Sequence, residues 1–357
     1  MKKKRIVGID LFCGIGGLTN GLVKSGIEIL AGFDIDETCR KSFEQKLNNS
    51  PKFIKKDIRE LEKNDLLSFF LQNTYKIIAG CAPCQPYSSH QKLKSFSERM
   101  KHDSYGLIEQ YLRIVNLIKP EFVIMENVSN LKNDPFFKDN FLNYFMENNY
   151  HFDYKDVNIA DYGAPQRRKR LLFIAVSKDI PNAENIMIPK KINAKSKNVF
   201  DVIGHLPIIS DGSSDIKDPL HTSAKLSELN KKRIIASKEG GTWKDWPESL
   251  LLDCYKKPSG ATYTSVYGRI KRTDVAPTLT TQFTRYGTGR YGHYEQNRAL
   301  SLREGALLQT FPENYFFDLS LGMTSVARQI GNAVPPILAE KIGNIIFNKM
   351  LGETTHD

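Results

Sequence analysis

Short apolar runs of strand length alternate with segments of helical period through the first half of the chain. The runs lie at residues 6–12, 28–34, 53–55, 76–80, 122–126 and 170–176, and the helical segments at 18–25, 37–46, 106–119 and 136–148. This alternation is typical of an α/β protein with a parallel sheet and helices on both of its faces. Ligands of such sheets bind at the carboxyl ends of the strands, so the residues after each run are the first candidates for a site.

The alternation stops near residue 177, and the chain that follows has a different character. Residues 180–265 are punctuated by Pro, Lys and Ser without a clear period, and helical periodicity returns at 325–351. We therefore predict a first domain at 1–178, a smaller irregular domain at 179–320 with its variable part at 180–290, and a C-terminal segment at 321–357 that returns to the first domain. A length of 357 residues suits two domains, or equally one domain with a sizeable insertion.

The composition narrows the class of protein further. Lys and Arg outnumber Asp and Glu by 51 to 40, and most of the surplus falls in residues 151–300, which suits contact with a phosphate backbone. Five cysteines are too few for a disulfide framework, and no His/Cys cluster has structural-zinc spacing. No apolar run reaches the roughly 18 residues of a membrane helix. We therefore expect a cytoplasmic protein without a metal.

Acidic residues follow three successive predicted strands. The first strand runs into the glycine-rich sequence DLFCGIGG, which begins at Asp10 and lacks the Gly-Lys-Ser/Thr of an ATP-binding loop. Asp34 follows the second strand and Asp57 the third. Acids in these places can hold ribose hydroxyls and an adenine amino group, which suits a nucleoside without phosphates. Each of them could instead be a helix cap or a turn residue.

A loop with two thiols follows the fourth predicted strand, in the sequence GCAPCQPYS at 80–88. A cysteine here could act as a nucleophile in its thiolate form. Two other interpretations remain open, namely two packed cysteines and a redox dithiol, because Cys81 and Cys84 have the spacing of one. The fifth strand runs into Glu126, and a carboxyl group at a buried strand end can donate a proton to a ring nitrogen or simply cap a turn.

A basic sequence, QRRKR at 166–170, precedes the last predicted strand. Strand alternation predicts that Arg168 and Arg170 lie on the same face, where two guanidinium groups could bind a phosphate and a carbonyl oxygen. A solvated basic turn is the alternative.

Taken in order, these motifs resemble those of the DNA cytosine-5 methyltransferases of bacterial type II restriction-modification systems. The resemblance covers residues 6–177 and 266–340, and its later part consists of RTDVAPTL from Arg272, LRE from Leu302, QTFP from Gln309 and QIGNAVP from Gln329. It implies a Rossmann-like methyltransferase sheet and a smaller target-recognition domain. It also implies transfer of a methyl group from S-adenosyl-L-methionine to carbon 5 of a cytosine flipped out of duplex DNA.

The resemblance implies roles for individual residues. Cys84 would add to carbon 6 of cytosine, Glu126 would contact ring nitrogen 3 and the exocyclic amine, and Arg168 and Arg170 would support the cysteine loop and cytosine oxygen 2. Asp34 and Ile35 stand where the family often has Glu and Trp. The implied cofactor-binding residues are Asp10, Phe12, Gly14, Gly16, Gly17, Leu18, Asp34, Ile35, Asp57, Ile58, Gly80, Pro83, Asn332 and Ala333.

The implied partner is double-stranded DNA, together with a cognate restriction endonuclease that acts on the same site, and we expect a monomer. Two alternatives stay open: a transfer-RNA cytosine-5 methyltransferase, and a DNA-binding regulator that retains the fold without catalysis. The candidate DNA contacts are Gln85, Ser88, Asn127, Val128, Gln166, Arg269, Arg272, Arg285 and Arg290.

Overall fold

A seven-stranded sheet organises the first part of the structure, a computed structural model that describes residues 5–83, 103–189, 191–192, 197–257, 260 and 264–350. The strands lie in the order β3-β2-β1-β4-β5-β7-β6. Their bounds are β1 Ile6–Leu11, β2 Glu28–Asp34, β3 Lys52–Lys55, β4 Tyr75–Gly80, β5 Phe122–Asn127, β6 Tyr150–Asn158 and β7 Lys169–Ser177.

The alternation predicted a parallel sheet, and the observed sheet is mixed. Strands β1 to β5 pair in parallel, whereas β7 pairs antiparallel with β5 and with β6. The sequence pattern located β1–β5 and β7 but missed β6. This strand lies at the edge of the sheet and exposes part of most of its side chains, so it lacks the continuous apolar run of a buried strand.

Two compact units divide the chain. The first comprises Met1–Tyr162, Lys169–Ala194 and Val334–Asp357, and the second comprises Gly163–Arg168 and Lys195–Ala333. The helices of the first unit are α1 Gly17–Lys24, α2 Arg40–Phe43, α3 Lys63–Leu67, α4 Leu107–Ile118, α5 Leu142–Glu147 and, after the second unit, α10 Pro336–Met350. A short 3-10 helix at Glu37–Cys39 replaces the start of the longer helix predicted at 37–46. A π-helical turn at Phe137–Phe141 replaces part of the helix predicted at 136–148.

One large cluster of the core of the first unit lies on one face of the sheet. Alternate side chains of the central strands, among them Ile9, Leu11 and Met125, pack with the apolar face of α4 and with the aromatic rings of Phe141 and Phe145. Because the strand order reverses between β1 and β4, the carboxyl ends of these two strands open onto the crevice where ligands of α/β sheets bind.

Helices α1 and α10 pack against each other within the first unit. Gly21 lies at their contact, and a Cβ atom added there would come within 2.1 Å of the Pro336 carbonyl oxygen. A residue with a side chain could not occupy this position without moving one of the helices.

The second unit is built from short helices and irregular segments, and it contains isolated β-bridges but no longer strand among its described residues. Its aromatic core includes Trp243, Trp246 and Tyr286. Arg298 and Glu304 form a buried bidentate ion pair with distances of 2.6 and 2.8 Å. No helix in the described parts of either unit is long and apolar enough to cross a membrane. The helices of the second unit are α6 Val199–Ile203, α7 Glu228–Ala236, α8 Leu302–Leu308 and α9 Met323–Asn332.

Candidate active site

The turn after β1 has an unusual backbone. Phe12, Gly14 and Gly16 have φ angles of 59°, 50° and 87°, in the left-handed region that favours glycine. A Cβ atom on Gly14 would meet no heavy atom of the described residues within 4 Å, so the space beside its backbone is open among them. Gly17 begins α1, and Leu18 is buried in its first turn. The turn therefore leaves room for a ligand against the main chain.

Asp10, at the end of β1, is a fully buried carboxylate with incomplete hydrogen bonding. Thr19 Oγ1 donates to its Oδ2 at 2.7 Å, while Oδ1 has no hydrogen-bond donor among the described residues. Burial raises the pKa of Asp10 from 3.8 to about 7. A buried acceptor of this kind is a place where a ligand can donate a hydrogen bond.

Asp34, at the end of β2, joins the two loops at this edge of the sheet. Its Oδ2 accepts from Gly14 N and its Oδ1 from Asp36 N, both at 2.9 Å. Burial raises the pKa of the Asp34 carboxyl, and these two backbone hydrogen bonds oppose the shift. The following side chain, Ile35, is 66% exposed although it is large and apolar. An acid beside an exposed apolar side chain suits the ribose and adenine of a nucleoside.

Three other predicted cofactor residues have structural roles. Asp57 caps the 3-10 helix Ile58–Glu60, accepting from Arg59 N and pairing with Arg59 Nη1 at 2.9 Å. Ile58 is buried in the core. Gly80 lies so close to β1 that a Cβ atom would be 2.6 Å from Leu11 O. Their contacts with a cofactor remain predictions.

Glu126 is the centre of a second group of predicted residues. It lies in β5 with 2% of its surface exposed. Arg170 Nε, from β7, approaches its Oε1 to 3.0 Å as an ion pair that is not aligned as a hydrogen bond. Cys81 Sγ donates to its Oε2 at 2.9 Å. The structure therefore brings two of the predicted residues, Glu126 and Arg170, together and adds Cys81 to them.

Asn127 and Val128 fix the start of the cysteine loop rather than lying free. Asn127 Nδ2 donates to Ala82 O at 3.0 Å, and its Oδ1 accepts from Val128 N at 2.8 Å. The backbone of Cys81 also donates to Leu11 O at 3.3 Å, so this loop adjoins the end of β1. Pro83 is the last described residue before the gap, and Cys84, Gln85 and Ser88 lie outside the described residues.

Gln166 and Arg168 are buried in the second unit, where their side chains hydrogen-bond to distant segments of the same unit. Arg168 Nη1 donates to Leu279 O and Gly331 O, both at 3.1 Å. Gln166 Nε2 donates to Gln309 Oε1 at 2.6 Å, and its Oε1 accepts from Leu279 N. Arg168 precedes β7 and belongs to the second unit, whereas Arg170 lies in β7 and in the first.

The four arginines predicted to contact DNA differ in exposure. Arg269 is 5% exposed and donates to the carbonyl oxygens of Ser237, Ile234, His293 and Gln296. These bonds occupy its guanidinium inside the protein and give Arg269 a structural role, while its contact with DNA remains a prediction.

The other three arginines lie nearer the surface. Arg272 Nε pairs with Glu239 at 3.0 Å, and its guanidinium lies 4.9 Å from the centre of the Tyr294 ring. Arg285 and Arg290 are exposed on either side of a 3-10 turn at Tyr286–Thr288.

Asn332 and Ala333 lie at the end of α9, in the second unit. Asn332 is exposed, and Ala333 O accepts from Gln309 Nε2 at 2.9 Å. Their contact with a cofactor remains a prediction.

Sequence reasoning missed two hydrogen-bond partners: Thr19, which bonds the buried carboxylate of Asp10, and Cys81, which bonds that of Glu126. A signal for Cys81 existed, because β4 and β5 are neighbours in parallel register with Gly80 beside Met125, which puts the next residues side by side. Thr19 carried no comparable signal. Among the described residues, no group of three His, Cys, Asp or Glu side chains could hold a metal ion.

Comparisons with known proteins agree on one family. A model of the family described as C-5 cytosine-specific DNA methylase matches residues 6–348. The type II methylase M.HgiDII of Herpetosiphon aurantiacus is 42% identical over 342 residues, which cover 95% of this chain and 94% of that protein. The type II methyltransferase M1.HphI of Haemophilus parahaemolyticus is 29% identical, over 97% of this chain and 87% of that protein.

Solved structures support the fold. A putative DNA modification methyltransferase encoded within a prophage of E. coli superposes with a TM-score of 0.73 at 22% identity, covering 98% of this chain and all of that one. A mutant of Spodoptera frugiperda DNMT2 superposes with a TM-score of 0.65 at 16% identity, over 97% of this chain and all of that one. At these identities the likeness concerns the fold alone.

Proposed function

Since this chain belongs to the family of C-5 cytosine-specific DNA methylases, we propose that it methylates carbon 5 of a cytosine within one specific sequence of duplex DNA. The cytosine is flipped out of the helix, because its ring cannot be reached inside the base stack. The reaction passes through a covalent adduct between Cys84 and carbon 6. The family relationship makes the chain a DNA methyltransferase; the adduct, the flipping and the specific site are the proposal.

The residues at the ends of β1 and β2 fit S-adenosyl-L-methionine. The space that the described residues leave beside Gly14 admits a ligand, and Asp10 Oδ1, which no described residue bonds, accepts a hydrogen bond. The carboxylate of Asp34 can take ribose hydroxyls beside the apolar Ile35. When bound, this cofactor supplies an electrophilic methyl group carried on a sulfonium.

The chain's own residues prepare the base. Cys84 Sγ, as thiolate, forms a bond with carbon 6, and the electrons of the 5,6 double bond move toward carbon 5. Glu126, held between Arg170 and Cys81, gives a proton to ring nitrogen 3 and so neutralises the negative charge that develops there. Loss of the carbon-5 proton after methylation and release of Cys84 restore the aromatic ring.

The likeness to type II methylases supports a protective role in a restriction-modification system, with a cognate endonuclease that acts on the same sequence. The chain then works as a monomer on DNA in a bacterial cytoplasm. Its second unit, with the exposed Arg285 and Arg290, supplies the contacts that select the sequence.

One observation carries the proposal: the start of the cysteine loop is bonded to the strand that bears the buried glutamate, through Cys81 to Glu126 and through Asn127 to Ala82. Bisulfite sequencing of DNA from cells that express the chain tests it. We expect protected cytosines at a single position of one recurrent sequence, and none in cells that express Cys84→Ala.

Two results would contradict this proposal. Uniform conversion of all cytosines, with the protein folded and expressed, would exclude DNA cytosine methylation in these cells. Methyl label from purified enzyme that enters bulk transfer RNA but not unmethylated genomic DNA would instead favour the RNA substrate.

A further inference from the structure

Cys81 is a side chain that the reaction does not use directly, and it contacts the buried glutamate. We propose that it is a positioning residue, whose thiol holds the carboxylate of Glu126 in the orientation that faces the cytosine. This role rests on the proposed function, because it acts through Glu126.

The geometry begins with the sheet. Gly80 and Met125 are paired in neighbouring parallel strands, so the residues that follow them, Cys81 and Glu126, leave the sheet side by side. The Cys81 main chain is fixed by the bond from its N to Leu11 O at 3.3 Å. Cys81 Sγ then donates to Glu126 Oε2 at 2.9 Å. The pairing of β4 with β5 and the bond from Cys81 N to β1 thus place the thiol beside one oxygen of the carboxylate.

The Glu126 carboxylate needs such a bond because it can otherwise rotate about its last side-chain torsion angle, χ3. Rotation of a Glu carboxyl about χ3 is broad, and an ion pair without an aligned hydrogen bond restrains it weakly. Arg170 contributes that kind of pair at Oε1. Among the described residues, the thiol is the group with a hydrogen bond to this carboxylate. It occupies Oε2 and leaves Oε1 to contact the edge of the base.

The contact with Glu126 gives Cys81 and Cys84 different protonation states and different roles. A thiol must keep its proton to donate to a carboxylate, whereas a nucleophile must lose it. Cys81 therefore serves as a neutral donor, and Cys84 is left as the nucleophile. A serine hydroxyl at position 81 can donate the same bond, and an alanine cannot.

The test compares Cys81→Ala and Cys81→Ser with the wild type and with Cys254→Ala, which removes an exposed thiol of the second unit. Methyl transfer from tritiated cofactor to unmethylated genomic DNA gives kcat and KM. A long PCR product made with 5-fluorodeoxycytidine triphosphate gives the rate of covalent trapping whatever the recognition sequence is.

We expect Cys81→Ala to lower kcat and the trapping rate about tenfold, the loss that corresponds to one hydrogen bond to a charged group, with KM for DNA and for the cofactor changed less than about twofold. Cys81→Ser should recover to within about threefold of the wild type, and Cys254→Ala should match it. Melting temperatures accompany the rates, and Cys81→Gly replaces Cys81→Ala if the latter does not fold.

Equal rates for the wild type and Cys81→Ala would overturn this role and leave the proposed function intact. A folded Cys81→Ser as slow as Cys81→Ala would also overturn it, since packing of the sulfur rather than the donated bond would then matter. A wild type that neither transfers label nor forms an adduct would overturn the proposed function and this role with it.

Discussion

The buried carboxylate of Asp10, beside the glycine-rich turn after β1, lowers the stability of the folded state. Its pKa rises from 3.8 to about 7 because burial removes the water that stabilises the charge, and the hydrogen bond from Thr19 only partly offsets this. In the unfolded chain the ordinary value returns. Between these two pKa values the folded state therefore holds a proton that the unfolded state has lost.

The sign of the pH dependence follows from this difference. The free energy of unfolding contributed by Asp10 is greatest at low pH, falls as pH rises through the window from about 4 to 7, and is level above it. Because asparagine does not titrate, Asp10→Asn should gain roughly 2–3 kcal/mol relative to the wild type between pH 5 and pH 8. Urea unfolding of both proteins without cofactor measures this gain.

Asp139→Asn, which removes an exposed carboxylate from the same unit, is the control and should show no such change. A wild type and Asp10→Asn whose stability difference is the same at both pH values would contradict the prediction.

The sequence identified the acids of the candidate site because their position at the ends of predicted strands is a local property. Asp10, Asp34 and Glu126 all lie where strand ends place them. The burial of Arg269 and the exposure of Arg285 could not be foreseen, since both are arginines in similar basic, tyrosine-rich surroundings. Only tertiary packing, which puts four carbonyl oxygens around the Arg269 guanidinium, separates them.

At the level of elements, the contact between α1 and α10 depends on a glycine. Alanine is a better helix former than glycine by about 1 kcal/mol, so Gly21→Ala would be stabilising on an exposed helix. Here its Cβ would overlap the Pro336 carbonyl oxygen, at 2.1 Å. We expect overpacking to win and the free energy of unfolding to fall by about 2 kcal/mol. Calorimetric melting measures it.

Lys24→Ala, at the exposed last residue of the same helix, should change stability by less than about 0.5 kcal/mol. A Gly21→Ala protein as stable as the wild type would mean that the two helices separate without cost.

Sequence periodicity located strands that are buried on both faces and failed where exposure breaks the pattern. Strands β1, β4 and β5 are near-continuous apolar runs, whereas β6 carries a charged or polar residue at nearly every second position. The antiparallel direction of β7 has no local signal, because direction depends on which neighbour a strand meets.

At the level of the whole molecule, the positive charge must be exposed to serve DNA. Arg285→Ala and Arg290→Ala should each weaken binding to unmethylated duplex DNA, and each should make the slope of log affinity against log salt shallower by about 1 if the lost contact is with phosphate. If the contact is with a base, the enzyme should lose its preference for one base at a single position of the methylated sequence. Anisotropy titrations at several salt concentrations and bisulfite sequencing measure these two effects.

Lys138→Ala removes an equal charge from an exposed position of the first unit and serves as the control for net charge. Arg269→Ala should instead lower the melting temperature, because it leaves buried carbonyl oxygens without donors. Unchanged binding and an unchanged methylation pattern in both Arg285→Ala and Arg290→Ala would remove the two residues from the interface.

Gln166 and Arg168 bond mainly to the main chain of the segments they brace, at Leu279, Leu308 and Gly331. Peptide groups are the same whatever residue carries them, so drift at positions 279, 308 and 331 preserves these bonds as long as the backbone keeps its course. The side chains at these three positions can therefore change while the hydrogen bonds of Gln166 and Arg168 persist.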